Sequence, residues 1–77
     1  FNDTVVIKNS MLGGEVEIYD NMTFTGDSSF IIQGSGHTTH IVDSDTTTGG
    51  GQYYDDSVIV EGDVRLVSGT NGSGNIQ

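Results

Sequence analysis

The chain has 77 residues, no cysteine and a formal charge of −9, with eleven acidic side chains facing only Lys8 and Arg65. That length supports one small domain burying roughly 60% of its unfolded surface, and no disulfide or thiolate zinc site can reinforce it. The charge repels a phosphate backbone, so no nucleic-acid partner is expected. The longest apolar runs are three residues, against the ~20 that a membrane span needs, so no membrane insertion is expected.

Nine Thr, eight Val and seven Ile, with no Ala and no Pro, suit a pleated surface better than a helix. The expected class is all-β, and the chain reads as a single all-β domain or segment over 1–77. Phe1 stands where an initiator Met would, which points to a processed chain or a piece of a longer one, and no signal-peptide pattern is present.

In chain order, a strand is expected over 4–8, broken at Asn9-Ser10, with a turn at Gly13-Gly14. Residues 15–19 alternate, Val16 and Ile18 on one face and Glu15, Glu17 and Tyr19 on the other. Asp20-Asn21 is a two-residue turn candidate, and 22–25 alternates again with Met22 and Phe24 inward. Gly26-Asp27 turns the chain into a strand over 29–33, and Gly34-Ser35-Gly36 connects it to a strand over 39–42. Residues 43–52 contain no apolar side chain and three consecutive glycines, so a flexible loop is expected there. The last unit, 57–77, runs as a strand, the turn Gly62-Asp63, a second strand, a Gly/Ser/Asn loop and the start of a third strand. Val58, Val60, Val64 and Leu66 are its inward candidates, with Glu61 and Arg65 outward.

The pattern echoes itself. Val16, Ile18, Met22 and Phe24 precede Val58, Val60, Val64 and Leu66 by 42 residues, giving pseudo-repeats of about 15–42 and 57–77. Joined end to start, 75–77 would match 30–33, and 4–7 would match 39–42, as in one period of a tandem array. The apolar triplets leave Val6, Ile31 and Ile59 pointing outward from otherwise regular strands. These three form the expected assembly face, to be covered by another layer or another copy.

The stretch Val58 to Gln77, with its apolar strand, Gly62-Asp63, alternating strand, Ser68-Gly69-Thr70 and Gly74-Asn75-Ile76, resembles the repeats of large bacterial surface proteins of the filamentous-haemagglutinin type. Residues 20–27 resemble the same cadence and are also similar to the strand-turn repeats of phage tail fibres. The resemblance implies a secreted, elongated parallel β-solenoid used for adhesion, fibre building or display, located extracellularly, on a cell surface or on a virion. Self-association is the expected partnership, with a host surface or a glycan as a further target. A strand every ~8 to 12 residues suits a small β-sandwich or barrel equally well. In that case the protein would be a self-contained binding module or a capsid or tail decoration module of a virus or phage.

Candidate chemistry is sparse. His37 and His40, three residues apart on a strand, point to opposite faces. Asp43-Ser44-Asp45 opens like a calcium loop, but Thr47, Thr48 and Tyr54 occupy positions where the EF-hand needs acidic, Gly and Glu residues. A looser Ca²⁺ site drawing on Asp43, Asp45, Asp55 and Asp56 is the one cofactor the sequence offers. Glu15, Glu17 and Glu61 lie on exposed strand positions without an aromatic cleft, so no glycosidase pair is expected. No arrangement supports an enzyme. Sequons at Asn2, Asn21 and Asn71 are glycosylation candidates.

Overall fold

The structure is a computed structural model, and it describes residues 1–9, 13–55, 57–70 and 75–77. Among these there is no helix. Nine strands are present: β1 (Val5–Lys8), β2 (Glu15–Ile18), β3 (Met22–Phe24), β4 (Phe30–Gln33), β5 (Thr38–Val42), β6 (Asp45–Thr48), β7 (Gln52–Tyr54), β8 (Ser57–Glu61) and β9 (Arg65–Val67). They form three sheets of three strands, β1-β4-β7, β2-β5-β8 and β3-β6-β9, and none is closed. All six ladders are parallel.

The topology follows from what the turns can do. Parallel partners cannot be joined by a tight hairpin, so every short connection carries the chain to a different sheet. Three consecutive strands therefore visit the first, second and third sheet in turn, and the next three repeat the round. Each strand pairs with the one 19 to 25 residues further on, as Thr38 with Ser57 and Val5 with Phe30. Asp20-Asn21 and Gly62-Asp63 are consequently corners between sheets and close no hairpin. The ladders also exclude a closed barrel and a two-sheet sandwich for the described residues.

The core sits between the three sheets, where alternate side chains converge. Phe30 and Ile32 enter from the first sheet, Ile18 and Ile41 from the second, and Phe24 from the third, all buried. Burying one such side chain contributes roughly 1.5–3 kcal/mol. The rings of Phe1 and Phe24 stack at 4.8 Å, Phe24 and Phe30 at 5.4 Å, and Phe30 meets Tyr54 edge-on at 6.1 Å. Offset and edge contacts of this kind add to the area term.

The expected flexible loop over 43–52 is corrected. Asp45–Thr48 is β6, the central strand of the third sheet, and Ser44, Thr46, Thr48 and Gln52 are buried. Threonine takes the inward places here because its β-branched shape fits the pleat. The three glycines are sites of close packing. A Cβ on Gly49 would lie 1.6 Å from Gly26 O, and one on Gly50 would lie 2.4 Å from Ser29 Oγ. Gly49 N and Gly50 N donate to Phe24 O and Ser28 O, fixing this corner to the round before it.

The 42-residue echo joins strands two rungs apart in the second sheet, since Val16 faces Thr39 and Thr39 faces Val58. In the third sheet Met22 faces Thr46 and Thr46 faces Leu66, a slip of two residues from the expected match to Val64. Residues 39–42 and 5–7 lie in different sheets, so that part of the array reading is corrected as well.

Candidate assembly surface

Outward rows follow from the ladders. On the first sheet Val6, Ile31 and Tyr53 stand in one row, Val6 exposed and the other two half-buried. A Cβ on Gly51 would meet the Tyr53 ring at 2.6–2.7 Å, so the missing side chain lets that ring lie close against the sheet. The expected assembly face therefore divides. Val6 and Ile31 share this row, whereas Ile59 is on the second sheet, opposite His40 and one row from Glu61.

The second sheet carries the three glutamates, Glu15, Glu17 and Glu61. Glu17, His40 and Ile59 form one row, and Glu15, Thr38 and Ser57 another. His40 Nε2 lies 3.3 Å from Glu15 Oε1 and Nδ1 lies 4.0 Å from Glu61 Oε1, linking strands on both sides of β5. Tyr19 Oη donates to Glu17 Oε2 at 2.7 Å, and that hydrogen bond, followed by the charge of the same carboxylate, raises the exposed phenol's pKa. Sequence spacing does not reveal this cluster, because Glu15, His40 and Glu61 meet only through the round length. His37 is buried, away from His40's outward position.

The calcium candidates are dispersed, Asp45 in β6 and Asp43 and Asp55 outside the strands. Asp43, at φ +45°, accepts from Asp63 N at 3.0 Å through Oδ1, and its own N donates to Glu61 O. A Cβ on Gly62, itself at φ +74°, would lie 1.9 Å from that carboxylate oxygen. Asp45 faces Arg65 across the ladder, and Asp55 Oδ2 accepts from Gly34 N at 3.2 Å. Asp56 lies outside the described residues. Among the described residues no group of three or more His, Cys, Asp or Glu is placed to hold a metal ion.

Two sequon asparagines also serve as corner acceptors. Asn2 Oδ1 accepts from Thr25 Oγ1 at 2.9 Å, and Asn21 Oδ1 accepts from Asp45 N at 2.8 Å. Asn71 lies outside the described residues. A shallow depression of about 300 Å³, lined by Lys8, Asn9, Gln33 and Gly34, opens at the corner after the first sheet.

The most distinctive surface is at the two ends of the sheets. Val60 occupies an inward place, in the row of Ile18 and Ile41, yet it is 57% exposed. Val58 and Ile76 are exposed at the same end, Ile76 at 44% in the row of Phe30 and Gln52. Phe1, stacked on Phe24, is 62% exposed at the other end. Among the described residues no further strand lies above or below these side chains. Nor, among the described residues, do the outer strands there have a further ladder partner.

No family model, curated protein or solved structure matches the chain. Among the described residues no helix is long and apolar enough to cross a membrane.

Proposed function

We propose that the chain is a non-catalytic structural segment of an extracellular fibre-like or surface protein, a parallel β-solenoid that builds length by stacking strand on strand. The observation that carries this reading is the exposure of Val58, Val60, Ile76 and Phe1 in inward places at the two ends. Exposed apolar side chains in inward places at a strand edge are what stacking a further strand would cover. The parallel ladders and the fixed order of visits to the three sheets support the solenoid form. Adhesion to a host surface or glycan would then use the lateral faces, which carry the tyrosine row and the acidic sheet.

Light scattering behind size exclusion, with circular dichroism on the same sample, tests the reading. The expected outcome is a β-rich species whose mass and melting temperature rise with protein concentration, as association by mass action requires. A folded monomer with a constant melting temperature over a wide concentration range would overturn it.

A further inference from the structure

We propose that a second copy of this chain packs face to face on the outer side of the first sheet, with Lys8 of each copy over Asp55 of the other. The pairing is lateral, and it stands or falls apart from the stacking reading above.

The acidic residues are unevenly shared among the three sheets. Glu15, Glu17 and Glu61 are on the second and Asp45 is on the third, whereas the strands of the first hold no acid. Copies that each carry −9 repel least where the acids are absent. The same outer face bears the apolar row of Val6, Ile31 and Tyr53. Beside that row the side chains are small. Ser29 N donates to Thr4 Oγ1 and Gly51 N to Ser29 Oγ, both at 3.0 Å, so the two hydroxyls are turned onto the backbone. The Tyr53 ring lies back over Gly51.

The charged row decides what covers the face. Lys8 faces Gln33, and the register carries on to Asp55, whose N donates to Ile32 O at 3.0 Å. A cation, a neutral amide and a carboxylate thus cross the sheet in that order, about 10 Å from first to last at the usual strand spacing. Lys8 and Asp55 are exposed, and among the described residues neither is in an ion pair. A row charged in this way is complementary to itself reversed. A two-fold axis in the contact plane, running along β4, reverses the order of the strands and keeps their direction. It sets Lys8 over Asp55 twice, Val6 over Tyr53 twice, and Ile31 over Ile31 on the axis. The contact is isologous, and its two sheets have the aligned strands of facing sheets generally. An axis across the strands would put Lys8 over Thr4 and leave both charges unmatched.

The outline of the contact is small. Three strands by about five residues span roughly 14 by 17 Å. That is about 240 Å² a side, about a third of the ~800 Å² that each partner gives a stable interface. The pair is therefore transient between single copies, and covalent capture reads it better than mass does.

The chain has no cysteine, so Ile31→Cys, on the axis, is a clean probe. A short bis-maleimide should join two copies across facing sheets about 10 Å apart. On a denaturing gel the dimer should exceed that from Ile59→Cys, on the second sheet, by on the order of tenfold, because held neighbours react at a raised effective concentration. In the Ile31→Cys background, Lys8→Asp and Asp55→Lys should each lower the yield about fivefold, since each turns two attractions into two repulsions. Mixing the two variants should restore it, because each side chain then meets the opposite charge. Asp55→Lys is the sharper of the two, since it lowers the net negative charge and should still weaken the pair. It also removes the acceptor of Gly34 N, so Val6→Asp and Tyr53→Lys, which face each other in the pair, repeat the mixing test. Equal yields from the two cysteine variants would overturn the pairing and give the face to another occupant, such as a glycan. A higher yield for Asp55→Lys, or no recovery on mixing in either set, would overturn the two-fold arrangement. Dimers from Ile31→Cys in a chain whose mass never passes two copies would support the pairing and remove stacking. Larger masses without that dimer would leave stacking and overturn the pairing.

Discussion

Thr39 stands between Val16 and Val58 in an inward row, and Thr46 between Met22 and Leu66. Both are fully buried, and neither Oγ1 has a hydrogen-bond partner among the described residues. A buried hydroxyl left unpaired costs about 1–3 kcal/mol, while valine keeps the branched shape without that cost. Thr39→Val and Thr46→Val should each stabilise the fold by about 1 kcal/mol, raising the melting temperature by about 4–8 °C for a chain of this size. Thr48 differs, because its Oγ1 donates to Gly50 O at 3.0 Å. Thr48→Val should lower the melting temperature, so thermal melts of the three variants test the assignment by sign. The same residues explain why 43–52 was illegible. Alternation is there if threonine counts as an inward residue, but on a polarity scale the stretch reads as loop. Nor does a run of glycines reveal whether it is loose or tightly packed.

At the scale of elements, strand positions followed from alternation and turn residues, but strand partners did not. Glu15 to Ile18 and Met22 to Phe24 are as well placed for a hairpin as for a corner. Only the parallel ladders, with partners about twenty residues away, separate the two. β7 illustrates a tie that no local pattern announces. Gln52 Nε2 donates to Thr46 O at 3.0 Å and to Val67 O at 2.9 Å, joining the first sheet to two strands of the third. Its Oε1 accepts from Tyr54 Oη at 2.7 Å. Burial pushes the Tyr54 phenol up to about 12 from the ordinary value near 10. The folded state thus keeps a proton that the unfolded chain releases above pH 10. Stability should be undiminished below that pH and fall between about 10 and 12 as the unfolded state ionises. Chemical denaturation across that range should show the decline. Tyr54→Phe should flatten it while losing some stability at neutral pH, since Gln52 Oε1 then lacks its donor. An equally steep decline in the phenylalanine variant would assign the effect to other groups.

For the whole molecule, charge and shape pull in opposite directions. Exposed apolar places and, among the described residues, outer strands without a further ladder partner favour adding copies, while each copy brings a charge of −9. At 0.01 M salt the screening length is about 30 Å, so stacked copies feel one another's charge strongly. At 0.15 M it is about 8 Å, and most of the repulsion between copies is screened. Edge pairing and burial of Ile76 and Phe1 lose little to salt over that range. The mass seen by light scattering should therefore rise as sodium chloride is raised between those limits, at constant protein concentration and pH. A mass that fell with salt would mean that ion pairs hold the copies together, placing the contact on the charged lateral sheet around His40 and Glu61 in preference to the sheet ends.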